Sequence, residues 1–208
     1  MKKIAVLFFT LFFFALLSAQ ANLTLETVCS SLAAHENTTG DFTQIKTIQT
    51  NGRKLKSNGK YIICQEGILW KTEKPIPSSL ILTKDTMVQI AANGKKSVMN
   101  GKDNQIFSNI SETLSSVFSG DVAALKKNFN CNFSNNKSGE WSVILEPKDS
   151  TIASVMKTLV LSGTYNEYAA MTLLEMAEAS GNTISYEFTN QKYPKELSAD
   201  EKQNFIIE

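Results

Sequence analysis

The chain holds one histidine, His35, and three cysteines, Cys29, Cys64 and Cys131. Any Ser-His-Asp or Cys-His mechanism would have to use His35. It stands beside Glu36-Asn37 at the end of a helical pattern, where a solvated or C-capping side chain is the ordinary role. The sequence has no GxSxG elbow, no P-loop and no HExxH pair. The cysteine spacings are far too wide for a CxxC redox site or a zinc knuckle. An odd count leaves at least one thiol unpaired unless two chains join, and both a single disulfide and buried, small apolar thiols stay open. Glu175 with Glu178, and Asp200 with Glu201, are the paired carboxylates, and solvated charge is the ordinary reading of such pairs. Asp41, Asp85, Asp103 and Glu66 abut turns, where acidic residues serve the backbone. These residues favour binding over catalysis, and no cofactor or metal is expected.

The N-terminus sets the compartment. Lys2 and Lys3 precede an almost wholly apolar run, Ile4 to Leu17, and Ala19-Gln20-Ala21 follows as a small-x-small cleavage site. This is the pattern of a secretory signal peptide over residues 1–21, and the run is shorter than the roughly 20 residues of a spanning helix. No cysteine stands at the cleavage point, so the expected product, residues 22–208, is a soluble periplasmic domain without a lipid anchor. Without Lys2 and Lys3, 19 of the 21 basic residues face 20 acidic ones. That balance gives no argument for nucleic acid. The densest basic cluster, Arg53, Lys54 and Lys56, lies beside Asn51-Gly52 and reads as a solvated hairpin tip.

The elements that would position any site follow from periodicity. Leu25, Val28, Cys29 and Leu32 recur at helical spacing within a helix over about 23–35. After Gly40 the period becomes two: Phe42, Gln44, Lys46 and Ile48 alternate with Thr43, Ile45 and Thr47. Further strands are expected at 60–64, 68–72, 79–83, 87–91 and 95–99, with Asn58-Gly59, Glu66-Gly67 and Asn93-Gly94 as turns. From 104 to 118, Ile106, Phe107, Ile110, Leu114, Val117 and Phe118 fall at helical spacing, and Asp121 caps a second short helix through Lys127. Strands resume at 129–133, 141–146, 157–161, 169–176 and 183–188, and the polar tail from Gln191 reads as loop. Short turns between successive strands make the sheet antiparallel. The fold class is α+β, mainly β: one strongly curved sheet with about three helices on one face.

Several strands are apolar on both faces. Ile68 and Trp70 oppose Leu69, and Leu80 and Leu82 oppose Ile81, whereas a sheet with one wet face should alternate. Helices packed on one face account for most of this, and a loosely filled concave face that takes lipid is the other account.

Gly40-Asp41-Phe42-Thr43-Gln44 resembles the Phe-x-Gln opening strand of the outer-membrane lipoprotein carrier protein (LolA) family. Gly59-Lys60-Tyr61 and then Gly67-Ile68-Leu69-Trp70-Lys71-Thr72-Glu73-Lys74-Pro75 resemble its glycine, tryptophan and proline stretch. Leu80 to Asp85, Trp141 to Pro147 and Thr183 to Asn190 are similar to later family strands, and the likeness covers about residues 23–207. The resemblance implies a half-open antiparallel β-barrel of about eleven strands, lidded by helices, with a pocket for acyl chains of lipoprotein or another lipid. It implies a monomer that carries lipid toward the outer membrane between inner-membrane donor and outer-membrane acceptor proteins. Ile62, Ile68, Trp70, Leu80 and Leu82 would line the pocket, and Leu114, Val117 and Phe118 the underside of the lid. Where the best-known members have a second-strand Arg that bonds to the lid, this chain has Cys64, and Ile68 stands for a Phe. A thiol cannot supply the five donors of a guanidinium. The Gly-Ile-Leu-Trp-x-Thr-x-x-Pro motif resembles divergent members associated with lipid-modifying and export machinery, whose cargo is another acyl-bearing or polyene-type lipid. The alternative is a periplasmic partner-binding or scaffold module with a packed sheet and no cargo.

Overall fold

A computed structural model describes residues 23–83, 85–100, 113 and 115–206. The signal-peptide reading, Lys84, Leu114 and most of the 104–118 helix lie outside the described residues. Helix α1 (Leu25–Ala33) starts where Thr24 caps it, its hydroxyl accepting from the Thr27 N–H at 3.2 Å. Its Leu25, Val28, Cys29 and Leu32 form one buried stripe. Each of the three aliphatic side chains is worth about 1.5–3 kcal/mol on burial.

Strands β1 (Thr38–Thr47), β2 (Lys54–Cys64), β3 (Gly67–Lys74), β4 (Ser78–Leu82), β5 (Thr86–Ile90) and β6 (Lys96–Asn100) form a meander. Residues 113 and 115–118 are helical. Helix α2 (Val122–Asn128) follows, capped as expected by Asp121, whose carboxylate accepts from Ala124 N–H at 2.9 Å. A second meander comprises β7 (Phe129–Asn135), β8 (Glu140–Pro147), β9 (Met156–Tyr165), β10 (Ala169–Glu178) and β11 (Thr183–Lys192). A short helix, α3 (Ser150–Ala153), joins β8 to β9, capped by Asp149. Pairing of β1 with β11 fuses the meanders into one eleven-stranded antiparallel sheet, open between β6 and β7. At about 4.8 Å per strand a flat sheet of this width would span nearly 50 Å. Yet side chains of β2–β4 and β8–β10 share one core with α1 and α2. The sheet therefore curls around the helices.

Two local expectations are corrected. Asn58-Gly59 is no turn; both residues lie inside β2, at a bulge against β3. A Cβ at position 59 would collide with the Lys71 carbonyl oxygen, so glycine serves close strand approach there. The tail is not all loop either. β11 runs to Lys192, and α4 (Ala199–Gln203) begins in a capping box made by Ser198 and Glu201. Leu197 and Phe205 then pack on the outer face of the sheet against Ile62, Leu69, Ile81 and Val88. That second cluster explains why β2–β5 are apolar on both faces: the helices cover one side and the C-terminal segment the other.

Candidate functional site

The β2–β3 and β4–β5 hairpins turn at the end of the sheet where α1 finishes. A cleft of about 1010 Å³ opens there. Its apolar lining is Ile63, Ile68 and Phe118 from the concave side and Leu197 from the C-terminal segment on the outer side. Its walls come from the end of α1, the helical residues 115–118, the start of α2 and the C-terminal segment. The mouth is acidic, with Glu36, Glu66, Asp85, Asp121 and Glu196 against Lys195 and Lys202. Below it lies a space of about 10 Å³, room for one water, between His35, Tyr61, Phe118, Gln191 and Tyr193.

Several contacts set the position of these walls. The Ser31 hydroxyl accepts from the Ala169 N–H at 2.8 Å and ties α1 to β10. The Asn37 amide donates to the carbonyls of Pro194 and Lys195 at 3.2 and 3.1 Å, holding the C-terminal segment against the end of α1. An exposed ion pair, Lys126 to Glu26 at 2.6 Å, links α2 to α1, and such pairs add little stability.

The expected lipid-contacting residues separate into groups. Ile68 and Phe118 border the cleft. Leu82 and Val117 are buried in the main core behind them. Trp70 and Leu80 are paired across β3 and β4 farther along the concave face and are half-buried. Ile62 is on the other face, paired with Leu69 in the outer cluster, so it is not brought together with the rest. Leu114 lies outside the described residues. Ile63, which pairs with Ile68, is the β2 residue at the cleft. The loop is Gln65-Glu66, one residue before the expected Glu66-Gly67 turn, so 64 faces 67 and 63 faces 68.

An aromatic wall continues the concave face: Tyr186 lies 5.8 Å from Phe42 and 6.1 Å from Trp70, and Tyr61 lies 4.9 Å from Phe188, between ring centroids. The Trp70 Nε1 is buried with no hydrogen-bond partner, and burial pushes the Tyr186 hydroxyl up to about 12. His35 is not the solvated side chain expected. Its ring stacks on Tyr193 at 3.8 Å and meets Tyr168 edge-on at 5.1 Å, with Nε2 buried and unpaired. Burial holds its pKa below the ordinary value. Cys29, Cys64 and Cys131 are free thiols. Cys64 closes β2 at the cleft and donates to the Gly67 carbonyl at 3.6 Å; burial pushes it up to about 11, so it is a neutral thiol. Among the described residues no group of three His, Cys, Asp or Glu side chains gathers for a metal, and no helix is long and apolar enough to cross a membrane. This arrangement offers shape and a mixed lining, in which Ile63, Ile68 and Phe118 stand among polar side chains such as Asn37, Thr83 and Ser116.

The fold is similar to that of a DUF1329 family protein from Desulfovibrio piger, at 11% identity over 84% of this chain and 92% of that one, with a TM-score of 0.50. A LolA superfamily protein from Nitrosomonas europaea is similar at 8% identity over 86% and 96% of the two chains, with a TM-score of 0.43. The lipoprotein LppX from Mycobacterium tuberculosis is similar at 8% identity over 84% and 98%, with a TM-score of 0.44. No curated protein matches the sequence. The family model described as outer membrane lipoprotein carrier protein LolA matches residues 34–202. That span runs from the end of α1 through β11 into α4, and the chain belongs to the LolA family.

Proposed function

We propose that this protein is exported to the periplasm and carries acyl chains of lipoprotein or another lipid toward the outer membrane, by binding and without catalysis. The observation that supports this reading is the cleft: about 1010 Å³, with Ile63, Ile68 and Phe118 on its concave side. Its size sits at the top of the ~300–1,000 Å³ range of ligand sites. Each CH₂ sheltered from water is worth about 0.8 kcal/mol, so apolar contact alone holds a long acyl chain. The half-buried Trp70 and Leu80 lie farther along the concave face, packed on the main core. At Cys64 the thiol donates within its own turn and cannot supply the donors of a guanidinium to the helices.

The test is native mass spectrometry of the purified protein together with displacement of an apolar fluorescent probe by long-chain lipid. Copurifying lipid and competitive displacement are expected. A protein that binds no probe at any accessible concentration is a packed scaffold, and the carrier reading fails. In cells lacking their lipoprotein carrier this chain is expected not to restore transport; rescue would show that Cys64 marks no change of cargo.

A further inference from the structure

The end of the sheet opposite the cleft has a different character. Three hairpin tips meet there: residues 48–53 between β1 and β2, 75–77 between β3 and β4, and 91–95 between β5 and β6. They and the adjoining strand ends carry Arg53, Lys54, Lys56, Lys74, Lys95 and Lys96, all exposed. The one carboxylate on these three tips is Glu73, and Glu178 of the β10–β11 turn beside them is paired with Lys46. None of the six cations takes part in either ion pair found among the described residues. Two large apolar side chains stand out between them. Ile76 is 69% exposed and Leu55 43% exposed. Pro75 and Pro77 flank Ile76 and fix the backbone φ on both sides of it, so little chain freedom is lost in presenting that side chain.

The chain as a whole is close to neutral, with 21 basic and 20 acidic residues. Six cations at one end and an acidic cleft mouth at the other make the molecule electrically lopsided along its strands. A basic rim around protruding apolar side chains matches one kind of surface: phosphate headgroups over an accessible hydrocarbon layer. We propose that this three-hairpin end docks the protein on the surface of an anionic phospholipid bilayer. The cations supply attraction to the headgroups, and Ile76 and Leu55 enter the headgroup boundary. The cleft mouth, at the far end of the strands and of the opposite sign, stays directed away from the membrane and open to a protein partner. Docking of this kind is independent of what the cleft carries.

The experiment is cosedimentation of the protein recovered after export, its N-terminus checked by sequencing, with vesicles of phosphatidylcholine alone or mixed with phosphatidylglycerol. Binding is expected to the mixed vesicles only, and to fade as salt shortens the screening length from about 10 Å at 0.1 M to about 3 Å at 1 M. The triple variant Lys54→Gln, Lys56→Gln, Lys74→Gln should bind roughly fivefold more weakly per charge, about a hundredfold in all. Ile76→Ser should weaken binding with no change in its salt dependence. All four positions are exposed, and thermal melting of the variants checks that they fold. Equal binding to both vesicle types, or a triple variant that binds like the parent, overturns the proposal. Retention on a soluble acidic polypeptide but not on vesicles would give the surface to a protein and overturn it equally.

Discussion

Replacing Phe118 by alanine separates a ligand-contacting role from a packing role. Phe118 borders both the cleft and the small space beneath it, and it is half-buried against the main core. A fully buried Phe→Ala change costs about 3–5 kcal/mol, so a half-buried one should cost about 1.5–2.5 kcal/mol of unfolding free energy. Full burial of a Phe side chain is worth about 1.5–3 kcal/mol. The half already covered in the free protein gains nothing on binding, so the loss of affinity should be about 1 kcal/mol, or roughly fivefold in Kd. Leu125 in α2 is the control. It is 1% exposed, sits in the same core and does not border the cleft. Leu125→Ala should cost about 2–5 kcal/mol of stability with Kd unchanged. Urea denaturation reads the first quantity and a fluorescent-probe titration the second. If Phe118→Ala left Kd unchanged, or Leu125→Ala weakened binding as much, the apolar lining assigned to the cleft would be wrong.

Further outcomes follow from single side chains. Burial depresses the folded pKa of His35 below its ordinary value of about 6.5, so the unfolded chain binds the extra proton first. Stability should therefore fall as pH drops through about 6.5 and level off below the folded pKa, and His35→Phe should flatten that slope in melting curves; an unchanged slope would assign it to other groups. Gly59→Ala drives a Cβ into the Lys71 carbonyl and should cost about 1–3 kcal/mol in urea denaturation, while a neutral result would mean that the bulge yields. Asp121→Ala removes the α2 cap and should cost about 0.5–2 kcal/mol by the same assay. N-terminal sequencing of the exported protein should begin at Asn22, and an intact Met1 in the membrane fraction would refute cleavage.

The periodicities of the sequence determined the local geometry. The stripe Leu25, Val28, Cys29 and Leu32 is the buried face of α1, and Asp121 does cap α2. The parity of Ile68 and Trp70 against Leu69, and of Leu80 and Leu82 against Ile81, is the parity of the sheet. These features are legible because backbone geometry imposes repeats of 3.6 and 2 residues on neighbouring side chains. The tertiary structure alone decided which face of each strand is the inside one. Ile62 has the composition of a pocket residue and the wrong parity, because Leu197 and Phe205, more than a hundred residues away, return to cover its face. Asn58-Gly59 has the composition of a turn, yet the neighbouring Lys71 backbone makes it a point of close contact. His35 is polar and follows a helix, but Tyr168 and Tyr193 arrive from beyond β9 to enclose it. The basic end is likewise three hairpin tips that only the meander brings side by side. Short-range pattern fixes the choices that depend on adjacent residues. Burial depends on what the folded chain brings back from a distance, and the β1–β11 pairing that fuses the two meanders joins segments at opposite ends of the sequence.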